Sequence, residues 1–98
     1  MKNHVNIAVQ VLPKSKIKGT YELVDDAIKV IHDSGLKYRV CPFETVIEGP
    51  YDEIMNVVKK LQQECFNSGA DELLVYLKIQ NRKNEKVTIE DKMAKYDK

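Results

Sequence analysis

Apolar residues recur along this chain with two periods, and the switches between them mark out its elements. Val5, Ile7, Val9 and Val11 alternate with Asn6, Ala8, Gln10 and Leu12. Period 2 with β-branched residues on one side predicts a strand, which Pro13 should end. The polar, basic KSKIKG connection closes on Gly19. Thr20 then stands where a helix N-cap is expected, with Glu22 suited to the positive end of the helix dipole. Val24, Ala27, Ile28 and Ile31 follow at helical spacing, and Gly35 offers a left-handed stop.

Leu36, Tyr38 and Val40 alternate with Lys37, Arg39 and Cys41 in a second strand, broken at Cys41-Pro42 because proline lacks the ladder donor. A third strand over residues 44–48 is its expected hairpin partner. After Gly49, Pro50 suits the first helical position, and Asp52 and Glu53 complement the dipole. Ile54, Val57, Val58, Leu61 and Cys65 form one helical apolar stripe that ends before Gly69. Leu73, Val75, Leu77 and Ile79 alternate with Leu74, Tyr76, Lys78 and Gln80 as a fourth strand. QNRKNEKV reads as a polar loop, and Thr88 with Asp91 three residues on opens a short terminal helix whose apolar face is Ile89 and Met93.

The predicted order is β-α-β-β-α-β plus a terminal helix. This α+β pattern fits a ferredoxin-like sandwich, a four-stranded antiparallel sheet with two helices on one face. Ser34-Gly35 and Ser68-Gly69 close the long helices at matching points, so the chain has two similar halves, too few repeats for a solenoid. Residues 1–98 are expected to form a single domain.

Composition changes this picture little. The hydrophobic share of 43% and charged share of 32% are those of an ordinary globular protein. No apolar run approaches the roughly 18 residues of a membrane span, and the polar MKNHVN start does not resemble a signal peptide. The expected compartment is the cytoplasm, with no membrane insertion. A net charge of +1 with interspersed signs argues against a nucleic-acid partner. An RNA-recognition module would also carry aromatic residues on strands that here read VNIAVQVL and ETVIEG. Cys41 and Cys65 lack metal or redox spacing and read as buried thiols, and His4 and His32 belong to no ligand motif. No metal or cofactor is expected. KSKIKG offers no catalytic arginine of the acyl phosphatase kind, and no nucleophile-base or paired-carboxylate constellation stands out, so the chain is read as no enzyme.

With Val5, Ile7, Val9 and Val11 toward the helices, Asn6, Ala8, Gln10, Leu12, Arg39, Cys41, Leu74, Tyr76, Lys78 and Gln80 face away. The Pro42 kink leaves open whether Thr45 and Ile47, or Val46 and Glu48, join them. This mixed face is too apolar to be simply solvated and is expected to be covered by another subunit. At its edge Glu48, a carboxylate beside a helix N-terminus, is the leading candidate for a ligand contact, against the plainer reading that it caps the Gly49-Pro50 turn. Lys78 and Arg82 read first as exposed cations, and Tyr38, Phe43, Tyr51 and Tyr76 as core aromatics.

Ser34-Gly35-Leu36-Lys37-Tyr38, Thr45-Val46-Ile47-Glu48-Gly49, Lys78-Ile79 before Asn81-Arg82, and Thr88-Ile89-Glu90-Asp91-Lys92 occur in an order and spacing that resembles the small YkoF-like, thiamine-binding protein family. The chain departs from that pattern in its first loop, which is not glycine-rich, and at Gln80-Asn81. The resemblance implies ferredoxin-like subunits assembled through their sheets into dimers and tetramers. It also implies binding of thiamine or its hydroxymethylpyrimidine part, for vitamin uptake or salvage. A carboxylate such as Glu48 could engage the ring nitrogen and exocyclic amine of an aminopyrimidine, Thr45 could add a hydroxyl, and a tyrosine face such as Tyr76 would favour a thiazolium cation. Gln10, Lys78 and Arg82 complete the expected contacts. The alternatives are an oligomeric module that senses an amino acid at a subunit interface, and an oligomer with no ligand.

Overall fold

The computed structural model describes residues 1–97. Its elements are β1 (His4–Lys14), α1 (Thr20–Asp33), β2 (Lys37–Val40), β3 (Thr45–Pro50), α2 (Tyr51–Asn67), β4 (Glu72–Gln80) and α3 (Ile89–Met93). The strands form one sheet in the order β2-β3-β1-β4, and every neighbouring pair is antiparallel. Both long helices cover one face, which is the ferredoxin-like sandwich that the alternation of periods predicts.

The core lies between that face and the helices. Val5, Ile7 and Val9 of β1 and Ile47 of β3 meet Leu23, Ala27 and Ile31 of α1 and Ile54, Val57, Val58, Leu61 and Cys65 of α2. The α2 stripe is the one read from the sequence. In α1 the buried ridge is Leu23, Ala27 and Ile31, while Val24 and Ile28 lie on its half-buried flank. Gly35 and Gly69 follow the two long helices with φ of 77° and 117°, a region that other residues enter at a steric cost.

Several boundaries differ from the sequence reading, each for a backbone reason. β1 runs through Pro13 to Lys14. The Lys14 carbonyl accepts from Asp71 N–H at 2.7 Å, so Pro13 turns its nitrogen the other way, toward β3, whose pairing has already ended at Val9 with Thr45. A missing donor there costs no ladder bond. Gly19, not Thr20, is the N-cap of α1, and no side chain caps it. Pro50 is likewise the N-cap residue of α2, still extended at ψ 136°. The first α2 donors are met by the chain start: Tyr51 N–H bonds the Asn3 carbonyl at 2.9 Å and Asp52 N–H that of Met1 at 3.3 Å.

The QNRKNEKV stretch is not wholly polar surface, because Val87 is buried. Its N–H donates to the His4 carbonyl at 3.0 Å, where β4 has ended and β1 still offers an acceptor. From there Thr88 caps α3, its hydroxyl accepting from Asp91 N–H at 3.1 Å, and Ile89 is buried against the sheet. One end of the outward face is therefore covered by the chain itself, while Leu12, Leu74 and Tyr76 remain exposed.

Candidate ligand site

Register settles the parity that the Pro42 kink left open. Asn6 pairs with Glu48 and Ala8 with Val46, so Val46 and Glu48 share the outward face with His4, Asn6, Ala8 and Gln10. Thr45, paired with Val9, turns to the helix side and is buried. Thr45 and Glu48 thus lie on opposite faces of the sheet and cannot touch one small ligand.

On the outward face the polar residues form a closed set of contacts. One Glu48 oxygen accepts from Ile89 N–H at 2.8 Å and the other lies 2.8 Å from His4 Nε2. Burial opposes ionisation of this carboxyl, yet the Ile89 bond, the His4 bond and the charge of Lys37 together hold it below the ordinary carboxylate range. With its amide oriented to suit its neighbours, Asn6 donates to the Val87 carbonyl and accepts from Lys92 Nζ, each at 2.9 Å. Lys92 also bonds Gln80 at 2.8 Å; partial burial and the nearby Arg82 charge hold its amine below the usual value, against the pull of Glu48. The C-terminal segment is in this way clipped to the sheet, with Glu48 at the centre of the clip.

The other expected contacts are dispersed. Gln10 faces Tyr76 across the β1–β4 ladder, with Lys78 one outward position along. Lys78 bonds Glu44 at 3.1 Å. Arg82 lies beyond β4 and donates to the Lys86 carbonyl at 3.4 Å. Tyr38 and Tyr51 are half-buried, but Tyr76 and Phe43 are exposed, so these last two are not core aromatics. Cys65 is buried, and that burial pushes its thiol pKa up, whereas Cys41 is only half-buried. Among the described residues no cluster of His, Cys, Asp and Glu could hold a metal ion.

An open, mainly apolar groove lies on the helix side, at the end of the sheet where β2 turns into β3. It encloses about 360 Å³ between α1 and the turn, with Val9, Val11 and Thr45 along its floor and Val24, Ala27 and Ile28 along its wall. Tyr21 and Phe43 stand at its mouth, 86% and 83% exposed. Gln10 and Glu44 border it from the sheet side. The sequence builds it locally. Pro42 stops β2 after four residues, and the turn closes with Cys41 N–H on the Glu44 carbonyl at 2.9 Å, carrying Phe43 outward. The apolar arc of α1 is wider than the core needs, and its spare flank, Val24 and Ile28, becomes the wall. That surplus was the one sign of the groove in the sequence.

Comparison with known proteins bears on this geometry. Residues 7–97 match the family described as "Thiamine-binding protein". A UPF0045 protein of Clostridium perfringens is 37% identical over 91 residues, 93% of this chain and 95% of that one. A domain of unknown function from Bacillus cereus superposes with a TM-score of 0.92 at 41% identity, over 98% of this chain and 92% of that one. A Thermotoga maritima structure described as a putative thiamine biosynthesis/salvage protein gives a TM-score of 0.84 at 34% identity, over 95% of this chain and 98% of that one. With nearly its whole length matched and the same sandwich in these relatives, the chain belongs to the UPF0045, thiamine-binding protein family.

Proposed function

We propose that this chain is a YkoF-like, non-catalytic binder of thiamine or of its hydroxymethylpyrimidine part, serving vitamin uptake or salvage in the cytoplasm. The observation that carries the reading is the groove between α1 and the β2–β3 turn. Its volume of about 360 Å³ suits a small heterocycle, its walls are apolar, and few polar groups border it. Tyr21 and Phe43 give aromatic surface for a flat ring, and a thiazolium cation is favoured over such faces. Of the expected contacts this groove uses the Thr45 hydroxyl, as a hydrogen-bond partner for the ring nitrogens or amine of the pyrimidine, while Gln10 turns its amide to the opposite face of the sheet. Glu48 stays with the clip, because both of its oxygens are engaged within the chain. Subunits of this kind assemble into dimers and dimers of dimers, and the exposed Leu12, Leu74 and Tyr76 give the outward face the apolar content that an interface needs.

Calorimetric titration with thiamine, hydroxymethylpyrimidine and a panel of amino acids tests this reading. Heat from thiamine or the pyrimidine, lost in Thr45→Val, is the expected result. A ligand at about 100 times its dissociation constant should also stabilise the fold by about 2.7 kcal/mol in a melting experiment. Heat from an amino acid alone would instead identify an effector-sensing module. Silence with every compound would remove ligand binding altogether.

A further inference from the structure

Beneath α3 the outward face is not packed solid. A hollow of about 220 Å³ lies between the short helix and the sheet, with Val46 as its floor, Ile89 and Met93 as its roof and Cys41 at one side. Protein interiors leave little space of this size unfilled. Here α3 is pinned at Ile89 by Glu48 and at Lys92 by Gln80, and Met93, at the end of the helix, is left half-buried. Arg39 borders the same space. Its guanidinium is taken up by the two Asp97 oxygens at 2.7 and 3.0 Å, so it lends chiefly its aliphatic stem, and the lining is almost wholly apolar.

The charge at the margin of this hollow is unbalanced. A second, more open hollow of about 230 Å³ adjoins the first and shares Asn6, Val46 and Lys92 with it. The cations around them have carboxylates of their own: Lys78 has Glu44, Arg39 has Asp97 and Arg82 has Glu85. Lys92 differs. Among the described residues its ammonium meets only neutral amides, Gln80 at 2.8 Å and Asn6 at 2.9 Å, which leaves one of three N–H donors free. The nearby Glu48 turns its oxygens to Ile89 N–H and His4 instead. Partial burial and the Arg82 charge already work against the ammonium form, and an added anion would relieve both.

We infer that these joined hollows bind a small carboxylate with an apolar body, a single ring or a short branched chain. The body lies under α3 against Val46, Ile89 and Met93, and the carboxylate meets the free donor of Lys92 at the wet margin toward Lys78. Space suffices, since apolar cavities of about 150 Å³ take up benzene. Other chemistries fit less well. A cation would face Lys92, a neutral apolar molecule would leave that charge unanswered, and a bare anion such as phosphate would leave the apolar lining unused. Because the ligand touches both the sheet and α3, it fastens the terminal segment beyond what the clip alone achieves. The site lies on the opposite face from the groove and does not rest on the thiamine reading.

Titration of the full chain with benzoate, followed by calorimetry and amide exchange, tests this. Benzoate should saturate, benzamide and benzylamine should bind at least about tenfold more weakly, and acetate and phosphate should give no heat. Bound benzoate should slow amide exchange over residues 87–93 more than in α2. Lys92→Met keeps an apolar stem without the charge and should weaken benzoate about tenfold. Val46→Phe fills the hollow from below and should abolish binding with Lys92 intact, so that either variant serves if the other fails to fold. Saturating thiamine should leave the benzoate affinity unchanged, whether or not the groove takes the vitamin. Silence with benzoate, equal affinity for benzamide, wild-type affinity in both variants, or displacement by thiamine would overturn the inference.

Discussion

The two faces of the sheet are closed by different physics. On the helix side Val5, Ile7 and Ile47 meet Leu23, Ile54 and Leu61 through apolar contact, and all six are fully buried. On the outward side the end near Asn6 is closed by individual donors and acceptors: Glu48 with Ile89 and His4, Asn6 with Val87, and Lys92 with Gln80. Burial by contact asks only that apolar side chains recur at the right period, and its strength scales with the area removed from water. Closure by hydrogen bonds adds little net stability per bond but costs more when one partner is lost, because the other is stranded.

That difference orders the effects of substitution. The largest belongs to the helix side: Leu61→Ala or Ile54→Ala should cost about 2–5 kcal/mol, read from urea denaturation, because both side chains are fully buried and packed neighbours fill a vacated volume only in part. Next is the clip. Glu48→Ala should cost about 1–3 kcal/mol by stranding the Ile89 N–H, and the segment after β4 should become more sensitive to limited proteolysis while the core keeps its protection. An equal rise in cleavage within α2 would mean that the two faces are one cooperative unit.

Acidity should separate the faces further. The folded chain holds the Glu48 carboxyl below its unfolded value, so the folded state binds that proton more weakly. The contribution of Glu48 is then fully present above the unfolded carboxylate value and is lost as pH falls through the depressed folded value. The stability gap between wild type and Glu48→Gln should shrink over that acidic window in chemical denaturation. The gap between wild type and Leu61→Ala should persist there, since no titration enters it.

The same contrast explains what could be read from the sequence. Val5, Ile7 and Val9, and the α2 stripe from Ile54 to Cys65, follow from period alone because contact closure is periodic. In α1 apolar residues span more than one flank, and period could not choose between Leu23 and Val24 for the core side. The parity of Thr45 and Glu48 was hidden because it depends on how the turn at Pro42 sets register, a geometric matter that no alternation encodes. Val87 was hidden in a polar stretch because its burial follows from hydrogen bonds to His4 and Asn6 rather than from a repeating apolar pattern. Glu48 stood out correctly as a carboxylate in an unusual place, but the group it meets belongs to its own chain.

The smallest expected change in stability is the one that bears most on the ligand. Phe43 touches solvent over most of its surface, so Phe43→Ala should alter folding free energy by no more than about 0.5 kcal/mol. If the groove holds the heterocycle, that substitution should nonetheless weaken binding about tenfold by calorimetry, because an aromatic face is lost from the mouth. Glu48→Ala should behave in the opposite way, less stable but still binding at temperatures where it is folded. The pair is informative because stability and affinity move apart. If Glu48→Ala lost binding while folded and Phe43→Ala kept it, the ligand would belong on the outward face, in contact with the carboxylate that closes it.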